Sequence, residues 1–206
     1  MTVLAEPFDC GIPGVVLEPG DHVCAMYYGP AERDDVLLPF LRAGLREGNK
    51  CLCLIDGVEP SELLTRVMDG ADAAPYVTSK QLEIDRATSA CLSSGAFSTE
   101  HMMAYLEQTI GSATARGAYP VARAASEMSW VLPRPHDSRA VVEYESELNR
   151  FAPRLPQVLM CLYDLELFGG GMVLDLLKTH PTVLVRATFM DNPHYLTPQE
   201  FAAGRS

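Results

Sequence analysis

"GDHVCAMYYGPAERDDVLLPFLRAGLREGNKCLCLID", running from Gly20 to Asp56, decides the fold. His22–Tyr28 is an apolar run of strand length, and Pro30 suits the first turn of a helix whose positive end favours Glu32, Asp34 and Asp35. Val36, Leu37, Phe40, Leu41, Gly44 and Leu45 then recur at helical spacing, and Gly48 is a natural stop. "KCLCLID" is nearly all apolar, as a strand covered on both faces should be. Strand, loop, helix and strand in that order open many phosphate-binding α/β proteins. A phosphate cradle needs several backbone N–H groups aimed at one anion, glycines that let the chain curl, and a lysine. Here Gly29 is the only glycine between Tyr28 and Leu38, no lysine precedes Lys50, and Arg33 is the one cation among Glu32, Asp34 and Asp35. The loop has the place of a phosphate loop without its chemistry.

Downstream the alternation continues. A helix is expected over Ser61–Met68 and a strand at "KQLEID". A helix capped by Ser98 and reaching Arg116 should turn Met102, Tyr105, Leu106, Thr109 and Ile110 inward. "YPVARAASEM" reads as a strand ending near Glu127, followed by a proline-rich loop. Asp137 or Ser138 caps a helix carrying Val141, Tyr144, Leu148 and Phe151. "QVLMCLYD" is the most apolar strand, Met172–Lys178 a helix, "PTVLVRATFM" a last strand and "DNPHYLTPQEF" a tail. The first nineteen residues, rich in proline and glycine, read as an irregular arm. Such alternation predicts an α/β fold in three layers around a mainly parallel sheet, built as a single domain over residues 1–206.

Sixteen basic residues against 27 acidic ones give a formal charge of −11, which repels phosphate backbones and argues against direct nucleic-acid binding. No apolar stretch approaches the roughly 18 residues that would span a bilayer, and the start lacks a secretory pattern. A cytoplasmic protein is therefore expected. Its six cysteines fall mostly in strand-like runs with no CxxC pair, the pattern of reduced core thiols.

The segments "EPGDHVCAMYYGPAERDDVLLPFLRAGLREGNKCLCLID", "SEMSWVL", "EYESELNRFAPRLPQVLMCLYD", "LFGGGMVLDLLKTHP" and "NPHYLTPQEF", in that order, resemble the MEDS domain, the methanogen/methylotroph sensory domain of dichloromethane-responsive regulators. The resemblance spans about Gly20 to Phe201. It implies a RecA/KaiC-like fold without an intact nucleotide loop. It also implies sensing of simple hydrocarbon derivatives in prokaryotic signal transduction, without enzymatic activity. Domains of this family often sit beside DNA-binding, kinase or anti-sigma-type output modules, for which this length leaves no room. The expected partner is thus a separate kinase, anti-sigma protein or transcription regulator, and homodimer formation stays open.

In parallel sheets, ligands bind past the carboxyl ends of the strands. That edge should gather Tyr27, Tyr28, Asp56, Glu127, Trp130 and Asp164, aromatics beside carboxylates that suit a small hydrophobic or weakly polar ligand. Asp56 and Asp164 also carry the competing reading, a degenerate nucleotide-binding protein or weak ATPase holding magnesium. In a third reading the arm and tail dock a partner with no ligand at all. His22 and Cys24 share one face of a strand. With His180, which precedes another strand, they could hold zinc, iron or a haem edge; His101, His136 and His194 fall on a helix and in loops. The sequence names no cofactor. Glu143, Glu145 and Glu147 alternate along a helix and read as a solvated face.

Overall fold

The computed structural model describes residues 7–92, 95–115, 117–133 and 138–204. Two two-residue strands, β1 (Phe8–Asp9) and β2 (Val16–Leu17), pair antiparallel before the main sheet begins. Over its described residues, the expected irregular arm is therefore a small hairpin. Cys10, Ile12, Val15 and Leu17 are buried against the first long helix, so apolar residues that looked scattered in sequence pin this segment to the core.

The seven-stranded sheet has the order β5 (Leu82–Asp85), β4 (Lys50–Leu54), β6 (Ala122–Glu127), β7 (Gln157–Asp164), β3 (His22–Tyr27), β8 (Thr182–Val185) and β9 (Thr188–Asp191). All pairings are parallel except β8 with β9. The expected single last strand is thus a hairpin, turned at Arg186 (φ 49°) and Ala187 (φ 58°). Two consecutive left-handed residues make the tight turn whose twist matches its strands. No Gly or Asn marks it, which is why the sequence reads as one run.

Period-two alternation sorts each central strand between two cores. Val23, Ala25, Tyr27, Cys51, Cys53, Ala125, Val158, Met160 and Leu162 face α1 (Gly29–Arg46) and α2 (Pro60–Met68). Cys24, Met26, Leu52, Leu54, Ala124, Leu159, Cys161 and Tyr163 face the other layer. That layer holds α5 (Thr99–Leu106), which continues through a π-helical turn into α6 (Ser112–Ala115), together with α7 (Ser138–Phe151) and α8 (Gly170–Thr179). Two short helices, α3 (Ala74–Thr78) and α4 (Ala87–Cys91), flank β5. Ser98 accepts the amide of His101 as the predicted cap; the predicted helix end, Arg116, lies outside the described residues, as do His136 and the alternative cap Asp137. The expected tail contains one more helix, Pro198–Ala203, opened by a capping box between Thr197 and Glu200. All six cysteines are buried and free, and among the described residues no helix is long and apolar enough to cross a membrane.

Candidate functional site

At the carboxyl end of β3, where a phosphate loop would stand, the chain supplies its own anions. Asp164 accepts the amide of Gly29 at 3.2 Å, Glu32 accepts that of Tyr28 at 2.9 Å, and Glu166 would lie 3.6 Å from a side chain at Gly29. Two of the amide donors that could meet a phosphate at the start of α1, those of Tyr28 and Gly29, are thus turned to carboxylates.

Beside this cradle a second carboxylate is buried. Glu127 Oε2 accepts the amides of Asp56 (2.9 Å) and Gly57 (2.6 Å), while Oε1 accepts the Tyr27 hydroxyl at 3.3 Å and faces buried Arg33 Nη1 at 3.9 Å. A Cβ at Gly57 would stand 2.5 Å from Glu127 Oε1, so glycine is what lets the loop close over the carboxylate. Burial pushes the Tyr27 hydroxyl far up, aided by Glu127 and Asp164. Asp56 itself caps α4, accepting the amide and hydroxyl of Thr88 at 2.9 and 3.0 Å. Tyr28 is exposed and stacks under Arg186.

Of the six residues expected at this edge, the structure gathers Tyr27, Asp56 and Glu127, with Asp164 adjoining across Gly29. Trp130 does not join them. A 3-10 turn at Ser129–Val131 carries it to the opposite face of the sheet, where it packs on Phe97 with ring centroids 5.0 Å apart.

On that opposite face, at the other end of β3, lies a second polar group. His22 Nε2 is 3.0 Å from Glu145 Oε2 and 3.5 Å from Cys161 Sγ; His180 Nε2 is 3.1 Å from the same Glu145 oxygen. The ligand atoms of these four buried residues all lie within 4.8 Å of one another. His22 and His180 do meet, their ring centroids 4.2 Å apart. Cys24 is not among the four. It pairs in register with Cys161 of β7, and Cys161 brings the sulfur. His101 and His194 are exposed elsewhere.

Glu145 corrects the reading of a solvated acidic face. Glu143 and Glu147 point outward, but Glu145 shares the inward stripe of Val141 and Leu148 at helical spacing and is fully buried. A glutamate four residues after a core valine was the signal available. Tyr163 donates to Glu145 Oε1 at 2.6 Å, and Asn149 Oδ1 lies 3.1 Å from His22 Nδ1. Burial and the neighbouring His180 push His22 toward its neutral form. Burial pushes the Glu145 carboxyl up, but the two histidines outweigh it and hold it below the usual carboxylate range. An ionised Glu145 asks for imidazolium partners; burial asks for neutral rings.

Between the sheet and α5 and α7 lies an apolar cavity with about 20 Å³ of space for a water-sized body, lined by Leu52, Leu54, Met102, Tyr144, Ser126 and Cys161 among others. It touches the histidine group through Cys161 and the strand-end ring through Ser126, the residue before Glu127.

The model of the MEDS family, "MEthanogen/methylotroph, DcmR Sensory domain", matches residues 21–181, a range that takes in both buried carboxylates and both buried histidines. The chain belongs to the MEDS family. A curated relative, the transcriptional repressor DcmR of Methylorubrum extorquens, is 29% identical over 183 residues, covering 82% of this chain and 61% of the repressor's length. Solved structures place the MEDS fold among RecA/KaiC-like proteins. A KaiC-like protein of Pyrococcus horikoshii superposes with a TM-score of 0.60 at 17% identity, covering 87% of this chain and 80% of that one. An uncharacterised protein of the same archaeon, crystallised with an unknown peptide, gives 0.59 at 14% identity, covering 82% and 78%. The sheet of this MEDS chain is mainly parallel, with one antiparallel edge strand.

Proposed function

We propose that the chain is a non-enzymatic sensing module in signal transduction. Its ligand is a small, weakly polar molecule of the simple hydrocarbon-derivative class, and a regulatory partner protein reads the response. One observation carries this reading: two amide donors at the start of α1, those of Tyr28 and Gly29, are held by Glu32 and Asp164, so the nucleotide position already meets the chain's own anions. The apolar cavity under Met102 and Tyr144 is the enclosed apolar space beside this edge. At about 20 Å³ it holds roughly one water, so a ligand of a few heavy atoms enters only as the flexible Met102 side chain and its neighbours move aside. A ligand there bears on Ser126 and displaces Glu127, which ties the loops at Asp56–Gly57 to Tyr27; in this way Tyr27, Asp56, Glu127 and Asp164 act as the transmitting edge rather than as ligand contacts. The shift available equals the ligand's differential affinity for the two loop arrangements. The kinship with a transcriptional repressor supports a regulatory partner.

The test is thermal unfolding with a panel of one- and two-carbon halides, alcohols and amines, and separately with magnesium-ATP. Saturation to about a hundred times Kd should raise Tm by roughly 5–10 °C for at least one member, and Ala124→Val, which fills the cavity, should remove the rise. A panel without effect, alongside stabilisation by magnesium-ATP, would overturn the proposal in favour of nucleotide binding.

A further inference from the structure

We infer that His22, Glu145, Cys161 and His180 form a closed four-ligand site for a zinc-like divalent cation, clamping β3, α7, β7 and the turn between α8 and β8. The inference stands apart from the ligand reading above and begins from hydrogen-bond direction. Asn149 Nδ2 donates to the carbonyls of Glu145, Ser146 and Thr179 at 3.2, 3.3 and 2.7 Å. That fixes its amide so that Oδ1 faces His22 Nδ1 at 3.1 Å. An amide oxygen only accepts, so Nδ1 of His22 carries the proton. His180 Nδ1 faces the Leu176 carbonyl at 2.8 Å and carries its proton for the same reason.

With each Nδ1–H committed outward, both Nε2 atoms converge on one oxygen, Glu145 Oε2. His180 Nε2 is fully buried and, among the described residues, makes no hydrogen bond of acceptable direction, although the carboxylate is 3.1 Å away. Two ring nitrogens and a carboxylate oxygen that meet in a dry interior need a positive centre between them, a shared proton or a metal cation.

The spacing suits a metal. Zinc bonded at about 2.0–2.1 Å to nitrogen or oxygen and about 2.3 Å to sulfur sets ligand atoms roughly 3.3–3.6 Å apart around a tetrahedron. Three of the six separations, at 3.0, 3.1 and 3.5 Å, fall close to that, and all lie within 4.8 Å, a span that small side-chain shifts would close on a bound ion. The outer contacts also fit. Each Nδ1–H is turned to an oxygen acceptor and the carboxylate's second oxygen to the Tyr163 hydroxyl, as metal-ligating histidines and carboxylates are commonly held. A thiolate and a carboxylate would neutralise the dication, which suits a buried site. Four protein ligands leave no open position, so the ion is structural and holds four elements in one arrangement.

The full chain, purified without chelator, should carry one zinc-like ion per chain by elemental analysis. Its cobalt-substituted form should show the intense visible bands of a tetrahedral site with a thiolate charge-transfer band. Cys161→Ala should lose that band and retain metal roughly tenfold or more weakly, whereas Cys24→Ala should leave both unchanged. Should Cys161→Ala fail to fold, the wild-type cobalt spectrum still decides. A folded wild-type chain that carries no ion and takes up neither zinc nor cobalt overturns the inference, because a glutamic acid proton and the thiol proton then serve the two imidazoles. Loss of the charge-transfer band in Cys24→Ala rather than Cys161→Ala overturns the assignment as well.

Discussion

Glu127 and Glu145 are both buried carboxylates in the same sheet sandwich, yet they are solvated in opposite ways. Glu127 sits among donors: two backbone amides, a tyrosine hydroxyl and the Arg33 guanidinium. Glu145 takes the Tyr163 hydroxyl on Oε1 and has the Cys161 thiol beside it, while its Oε2 looks at two imidazole nitrogens. A carboxylate ringed by donors is complete and serves as a tie between loops. One whose free oxygen meets other lone pairs calls for a cation from outside the chain. The difference is invisible in residue type and burial, which are alike at both places; it lies in which atoms face which.

The contrast breaks if removing either carboxylate has the same consequence. The largest effect is expected at Glu127→Ala. It strands the amides of Asp56 and Gly57 and leaves buried Arg33 with Asp34 as its ionic partner, a loss of about 3–5 kcal/mol in urea denaturation. A single-variant cost below about 1 kcal/mol would mean that the ring is no structural tie. Glu145→Gln should come next, at roughly 2–4 kcal/mol together with loss of bound metal. Here the sign sharpens the comparison, since an amide NH₂ can donate to a bare imidazole lone pair. If protons alone held the group, the variant would be neutral or more stable. Gly57→Ala should follow at about 1–3 kcal/mol, because its methyl would meet Glu127 Oε1 at 2.5 Å and Arg33 Nη1 at 3.0 Å. That variant should leave metal content untouched. A metal loss there would show that the two carboxylates are one coupled system.

The opening strand, helix and strand were legible because their periods are long and clean, and the eroded phosphate loop was legible because its chemistry is written in residue type. The three-layer parallel sheet followed from the alternation of strands and helices, and the RecA/KaiC-like fold was what the family resemblance implied. What the sequence hid depends on three-dimensional neighbours. That Cys161 rather than Cys24 meets His22 is set by the register of two parallel strands, which a single strand's pattern does not contain. Trp130 is three residues from Glu127, yet a 3-10 turn sends it to the other face. Glu145 was masked by its neighbours: charges two residues away on both sides suggested water, although two residues on a helix is more than half a turn. The β8–β9 hairpin was masked by Arg186 and Ala187, residue types that rarely take left-handed conformations.

The smallest effect is expected at Thr197→Ala, and it tests whether the buried groups are insulated from the surface. Thr197 Oγ1 accepts the Glu200 amide at 3.3 Å, and Glu200 Oε2 accepts from the Thr197 amide and hydroxyl at 2.9 and 2.7 Å. These contacts are exposed, so water can take over most of what the substitution removes. Losing a cap of this kind costs typically about 1 kcal/mol, and it should register as faster amide exchange within Pro198–Ala203 alone. Yet that helix packs on α7, the element that carries Glu145. If α7 is held from within by its metal clamp, fraying of its neighbour should leave metal retention as it was. A weakened grip on the ion in this variant would mean that α7 owes its position to the surface helix, and the contrast between a self-sufficient ring and a cation-dependent cluster would have to give way to one continuous network.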